Sequence, residues 1–184
     1  GVVTLLGFSA KEIVDLSPVR ALTGLNRLSC SHYGSRLSDL SPLTGMKLSN
    51  LTCSGTTVSD LSPLVGMPLR YLGIGGTQVV DLSALQGMQL DGLFCDNTQV
   101  RDLTPLAAMP LTMRAIDATA VSDLSPLESS RKLKHLSFEK SKVTSAQVAA
   151  LQQALPDCQI QRAAAPPAPP AGTTPKPNPP EPPA

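Results

Sequence analysis

At 184 residues the chain is long enough for one domain with a core of its own. Its 15 Lys and Arg stand against 14 Asp and Glu, a formal charge of +1, which argues against the basic excess of a nucleic-acid-binding domain. Leu occurs 28 times while Phe, Tyr and Trp together number five, so the core has to be aliphatic and built in thin, repeated layers. No apolar run approaches the roughly 20 residues that cross a bilayer, and nothing near Gly1 has the layout of a signal peptide. The chain opens without an initiator Met and enters a repeat almost at once, so a fragment is expected whose natural N-terminal part, with any targeting information, lies elsewhere.

Self-similarity organises nearly the whole chain. Seven units align with starts at Val2, Leu25, Leu48, Leu69, Leu90, Leu111 and Leu133. The third reads LSNLTCSGTTVSDLSPLVGMP and the fifth LDGLFCDNTQVRDLTPLAAMP, which gives a shared pattern LxxLxCxxTxVxDLSPLxGMx. Each unit opens with apolar residues alternating with variable ones, such as Leu51 and Cys53 or Leu93 and Cys95, the period of a short strand. An Asp-Leu-Ser-Pro-Leu segment follows. There Ser62 is placed to cap backbone N–H groups and Pro63 needs no donor, so a short 3₁₀ or helical turn is expected. The Asp at 15, 39, 60, 81, 102 and 123 is expected to make an Asx-type bond. A unit this small cannot bury its own apolar face, so neighbours must stack and their parallel strands must form one sheet.

These motifs resemble the leucine-rich-repeat family over about residues 2 to 160. The Asp-x-Ser-Pro-Leu segment is most similar to internalin-type repeats, and the Gly-Met-Pro-Leu junctions resemble repeat arrays of planctomycete-like bacterial proteins, many attached to serine/threonine kinases. The resemblance implies an α/β solenoid, a right-handed superhelix with a concave parallel sheet, short 3₁₀ turns on the convex side and a C-terminal capping helix. It implies a non-catalytic protein-interaction scaffold. For the whole protein it leaves two settings open, the regulatory end of a kinase and a surface adhesin of internalin type, and therefore two compartments, cytoplasm and cell surface.

Three departures from the pattern stand out. Thr56, Thr77, Thr98, Thr119 and Ser141 occupy the turn position where the family usually has Asn, so a ladder of hydroxyls is expected in place of amides. Extra residues around Ser9 to Glu12 and His32 to Arg36 should enlarge loops at one rim. Arg114 stands where other units carry Leu28, Leu51, Leu72, Leu93 and Leu136. A lone charge there would cost several kcal/mol, so local re-registration of the strand is expected, with a paired Arg or an imperfect repeat as alternatives.

The seventh unit abandons the Asp-Leu-Ser-Pro segment for SAQVAALQQALPDCQI. Ser145 is placed to cap a helix presenting Val148, Leu151 and Leu155, with Cys158 and Ile160 adding a final strand, which gives a C-terminal cap over residues 143–160. From residue 161 to 184 the composition changes, and ten of the 18 prolines fall within residues 163–184. A disordered polyproline-type tail is expected there, a spacer or plain end first and a docking motif second, with PxxP spacings at Pro167 to Pro170 and Pro177 to Pro180.

Cys30, Cys53 and Cys95 sit at the second inward strand position, where other units carry Ile74, Ile116 and Phe138, and are read as buried reduced thiols. No Cys/His spacing argues for zinc, and no cofactor is expected. His135, Ser137 and Glu139 alternate along one strand but do not form a triad, since Glu139 would lie about 13 Å along the strand from His135. Gly73, Gly75 and Gly76 lack the following helix of a phosphate-binding loop.

The candidate binding surface is therefore the outward strand face, the third, fifth and seventh residues of each unit, beginning with Thr4, Leu6 and Phe8. The candidate ligand-binding residues are Tyr71, Phe94 and Met113 as apolar anchors, Asp96, Asp117 and Glu139 as an acidic column, and His135. A protein or peptide partner, a basic one at the acids, is expected to bind a monomeric chain. A solvated face kept soluble by charge, and a bound divalent cation, are the plainer alternatives.

Overall fold

In the computed structural model, which describes residues 2–107 and 109–161, the described residues form one parallel sheet of eight strands in sequential order. The strands are β1 (Leu5–Gly7), β2 (Arg27–Ser29), β3 (Asn50–Thr52), β4 (Tyr71–Gly73), β5 (Gly92–Phe94), β6 (Met113–Ala115), β7 (His135–Ser137) and β8 (Gln159–Gln161). Return paths carry 3₁₀ turns at Ser17–Ala21, Ser41–Leu43, Ser62–Leu64, Ser83–Leu85, Thr104–Leu106 and Ser125–Leu127. The architecture is the leucine-rich-repeat solenoid that the repeat pattern implies.

Stacking places chemically equivalent residues in columns. Leu28, Leu51, Leu72 and Leu93 pair in register across β2 to β5, and Leu43, Leu64, Leu85, Leu106 and Leu127 line up on the return side, all of them buried. The core is the space between these two columns, one layer thick per unit. Cys30, Cys53 and Cys95 lie fully inside it as free thiols, and burial pushes the Cys30 and Cys95 thiols up to about 12. They serve as small apolar fillers at the positions taken by Ile74 and Ile116 in other layers.

Each turn into the return path is fixed by its Asp. The side chains of Asp15, Asp39, Asp60, Asp81, Asp102 and Asp123 each accept the backbone N–H of the residue two positions on, at 2.7 to 2.9 Å. The expected Asx bond is present in all six. The capping role expected of Ser62 is not: its hydroxyl donates to Asp60 Oδ2 instead, so the carboxylate binds both groups and holds the start of the turn. The Thr column also differs from an inter-unit ladder. Thr56, Thr77, Thr98 and Thr119 each donate to the carbonyl three residues earlier within their own unit, at 2.6 to 2.7 Å, so each layer closes its own turn.

β1 corrects the expected register of the first unit. Leu6 pairs with Leu28 and Gly7 with Ser29, so Leu6 and Phe8 turn toward the core and Leu5, Gly7 and Ser9 occupy the outward positions. Adjacent Leu5 and Leu6 offer two registers, and cross-strand pairing selects the one that continues the leucine column.

Arg114 corrects a second expectation. The strand is not re-registered: Arg114 pairs with Leu93 on one side and Leu136 on the other, and the side chain is 3% exposed. Its Nε, Nη1 and Nη2 have no hydrogen-bond partner among the described residues, and desolvation pulls the guanidinium down to about 10. Backbone ladders on both sides of β6 hold the residue in the leucine column despite this cost.

The C-terminal end is closed by α1 (Ser145–Ala154), which buries Leu151 and half-buries Val148, with Leu155 buried just beyond it. Its N-cap is Thr144, not Ser145. Thr144 and Gln147 form a reciprocal capping box, and Gln147 Nε2 also donates to the carbonyl of Ser122, tying the helix to the preceding layer. β8 runs through Gln161, one residue past the expected end of the repeat body. The proline-rich stretch expected to be a tail, from residue 162 on, lies outside the described residues.

Candidate functional site

Strands put every second side chain on the face turned away from the core, and the parallel in-register pairing arranges those side chains in three columns. The first holds Leu5, Arg27, Asn50, Tyr71, Gly92, Met113, His135 and Gln159, each pairing with the next. The second holds Gly7, Ser29, Thr52, Gly73, Phe94, Ala115, Ser137 and Gln161. Ser54, Gly75, Asp96, Asp117 and Glu139 form the third, toward the rim where the strands end.

Small residues let the large ones meet. A Cβ built on Gly92 would stand 2.8 Å from Tyr71 Cδ1 and 3.6 Å from Phe94 Cε2, so the two rings converge over its bare Cα. Phe94, Met113 and His135 surround a shallow hollow of about 170 Å³ whose wall also includes Arg114, Ala115, Leu136, Ser137, Gln159 and Gln161. Four of the expected residues, Tyr71, Phe94, Met113 and His135, are thus neighbours on β4 to β7. Gln159 and Gln161 were not foreseen, because only the pairing of β8 with β7 brings them to the same surface.

The acidic column is less uniform than its spacing predicts. Asp117 accepts Ser137 Oγ at 2.6 Å and the backbone N–H of Glu139, so both its oxygens are already engaged within the sheet. Asp96 lies over Gly75, where an added Cβ would come within 2.6 Å of its Oδ1, and among the described residues its side chain accepts only Asn97 Nδ2 at 3.2 Å. Asp96 therefore has acceptor capacity left for a partner, and Asp117 has little. Ser137 is held by Asp117, which gives its hydroxyl a positioning contact unrelated to His135. No cluster of metal-ligating side chains occurs among the described residues, and no helix among them is long and apolar enough to cross a membrane.

The enlarged loops pack on each other. Ser9 Oγ lies 2.9 Å from His32 Nδ1, and Ser35 Oγ donates to the carbonyl of Ala10 at 2.7 Å. The loop then crosses the turns of the next two layers: a Cβ on Gly55 would meet the Tyr33 backbone at 2.7 Å, and one on Gly76 would meet the Tyr33 ring at 2.9 Å. Tyr33 itself remains 72% exposed. The signal for this contact was present in Gly55 and Gly76, which take left-handed conformations where later units have Asn97, Ala118 and Lys140.

Solved structures of bacterial proteins are among those that the chain is similar to. An internalin (inlF) from Listeria monocytogenes superposes with a TM-score of 0.75 at 28% identity, covering 85% of this chain and 46% of that one. An internalin C2 (inlC2) from the same species gives 0.63 at 24% identity, over 86% of this chain and 80% of that one. A leucine-rich-repeat protein of Leptospira interrogans gives 0.61 at 16%, over 78% and 38%. No protein-family model and no curated protein matches the sequence. Fold and face together define a leucine-rich-repeat solenoid. Within that class the chain is similar to the internalins, and it spans about half the length of inlF, 46%.

Proposed function

We propose that the chain is a non-catalytic interaction scaffold that binds a protein or peptide on the concave face of its sheet, through Tyr71, Phe94, Met113 and His135 with Asp96 and Glu139 at the rim. The observation that carries this reading is the convergence of Tyr71 and Phe94 over Gly92 beside an open hollow. Exposed aromatic side chains with little rotamer freedom are the groups that dominate binding energy at interfaces. The repeat frame keeps its leucines constant while these outward positions vary, which is how repeat arrays carry unrelated sites on one scaffold. Asp96, with an acceptor oxygen to spare, favours a partner that brings Lys or Arg.

A displayed peptide library selected on the wild-type chain tests this. Selected peptides should lose at least tenfold in affinity for the Phe94→Ser/Met113→Ser double variant, with the unfolding midpoint unchanged. Peptides that bind both proteins equally would refute the site. For the whole protein, the likeness to internalins supports the setting of a surface adhesin over that of a kinase regulator. The complete gene decides between them, a secretion signal favouring the first and an upstream kinase domain the second.

A further inference from the structure

The enlarged loop of the second unit and the free carboxylate of the fifth lean over the same pair of glycines. We infer that Tyr33 and Asp96 form a cation clamp at the rim of the sheet, with Gly75 and Gly76 as its floor, and that it takes an Arg or Lys side chain of the partner. This deepens the reading of Asp96 given above and rests on it, adding the aromatic wall that a lone carboxylate lacks.

The floor is a feature of the fourth unit, where Gly75 and Gly76 are adjacent. Asp96 reaches back to it from the fifth layer: a Cβ on Gly75 would lie 2.6 Å from its Oδ1 and 2.9 Å from its Oδ2. Tyr33 reaches forward from the second layer: a Cβ on Gly76 would stand 2.9 Å from its Cε1. Consecutive Cα atoms are about 3.8 Å apart, so the ring edge and the carboxylate are separated by no more than about 12 Å. One head group can touch both walls, since it needs about 2.8 Å to a carboxylate oxygen and up to about 6 Å to a ring centre. Side chains at 75 and 76 would fill that space, and bare Cα atoms leave it to a ligand.

Both walls are held in place before a ligand arrives. His32 N–H donates to the carbonyl of Ser54 at 3.0 Å and Ser35 Oγ to that of Ala10 at 2.7 Å, which pins the loop on either side of Tyr33. Gly76 N–H donates to the Asp96 carbonyl at 2.7 Å, which ties the fifth layer to the floor. Tyr33 nevertheless keeps most of its surface open to solvent. Little ordering is left to be done on binding.

Charge selects the ligand. Among the described residues no ion pair engages Asp96, Asp117 or Glu139, which follow one another along the rim. Strand spacing sets neighbouring carboxylates about 4.8 Å apart, so a cation beside Asp96 relieves their repulsion. The Tyr33 ring attracts the same cation through its negative face. Arg suits the clamp better than Lys, because its planar guanidinium can stack on a ring while its N–H groups fork onto a carboxylate.

The test titrates acetyl-arginine amide into the isotopically labelled 184-residue chain, with acetyl-citrulline amide as the neutral control. The arginine probe should shift the amide signals of Gly75, Gly76 and Asn97, and the citrulline probe should not. Tyr33→Phe should keep the response, Tyr33→Leu should weaken it about two- to fivefold, and Asp96→Asn should abolish it, with the rest of each spectrum retained. In peptides selected from a displayed library, changing a shared Arg to citrulline should cost about tenfold on the wild-type chain and nothing on Tyr33→Leu/Asp96→Asn. Equal shifts from the two probes, or an arginine response undiminished in Tyr33→Leu, would overturn the clamp. If the arginine probe leaves Gly75 and Gly76 unmoved while selected peptides still require Phe94 and Met113, the clamp falls and the concave-face reading stands. Peptides indifferent to Phe94→Ser/Met113→Ser whose Arg nonetheless depends on Tyr33 and Asp96 would support the clamp and remove the apolar site.

Discussion

Replacing Arg114 by Leu should stabilise the protein, although it deletes a charged side chain from a structure carrying few of them in its core. The guanidinium is buried between Leu93 and Leu136, none of its three nitrogens is hydrogen-bonded, and no carboxylate is paired with it among the described residues. Desolvation lowers the group from its ordinary value in water to about 10, which at 1.36 kcal/mol per pH unit is a penalty of about 3 kcal/mol on the charged form. Arg114→Leu removes that penalty and extends the leucine column without a break. A gain of about 3 kcal/mol corresponds to a rise in midpoint of about 6 to 12 °C for a chain of this size, measured by calorimetry at neutral pH. The pH dependence gives a second handle. The folded chain releases this proton at lower pH than the unfolded chain, so the penalty is complete below about pH 10 and fades as pH rises above it. The advantage of Arg114→Leu over wild type should therefore be constant at neutral pH and shrink above pH 10. A variant no more stable than wild type, or an advantage that grows in alkali, would refute the account of Arg114 as an uncompensated buried cation.

Four other substitutions probe three separate parts of the frame. Leu51→Asp should prevent folding of the array, since it forfeits about 1.5 to 3 kcal/mol of apolar burial and places an unpaired charge between Leu28 and Leu72; a cooperative unfolding transition near the wild-type midpoint would contradict the inward register. Gly55→Ala should destabilise by about 1 to 3 kcal/mol because φ is +73° and the new Cβ meets the Tyr33 backbone, whereas Gly66→Ala, also at φ +73° but with nothing within 4 Å, should cost only the conformational part, about 1 kcal/mol. Equal losses at the two glycines in urea unfolding would show that the Tyr33 loop contributes nothing. Hydrogen bonds from Ser17, Ser62, Ser83 and Thr104 hold the carboxyls of Asp15, Asp60, Asp81 and Asp102 below the usual carboxylate range. Their stabilisation is complete above the unfolded-state value near pH 4 and is lost as pH falls through the lower folded values. Asp60→Ala should accordingly be less stable than wild type at pH 7 and converge on it in strong acid; a difference independent of pH would assign the effect to something other than ionised Asp60.

Most of the fold was legible because a period of about 21 residues samples each position several times, and one odd residue cannot hide the frame. Errors arose where a position is sampled once or at an end. Adjacent Leu5 and Leu6 permit two registers, and only pairing with Leu28 distinguishes them. Thr144 and Ser145 both have capping hydroxyls, and the reach of Gln147 decides for Thr144. Arg114 was misjudged because local sequence shows the cost of burying a cation but not the backbone bonds that hold β6 on both sides. At the candidate site, alternation along each strand was enough to bring Tyr71, Phe94, Met113 and His135 to one surface. It could not show that Asp117 is engaged by Ser137 and Glu139, because that contact depends on the lateral reach of side chains between strands.

The layered register also gives the molecule a quantised length. Leu48, Leu69, Leu90 and Leu111 open units at a constant interval of 21 residues, and the residues above and below any one of these layers present nearly the same leucines to each other. Excising residues 69–89 would let the ribs on either side meet and heal, leaving a seven-strand molecule about 4.8 Å shorter. Duplicating the same stretch would lengthen it by the same step. Copy number in the gene thus acts as a ruler for the footprint offered to a partner, adjustable in whole increments that leave the leucine frame intact.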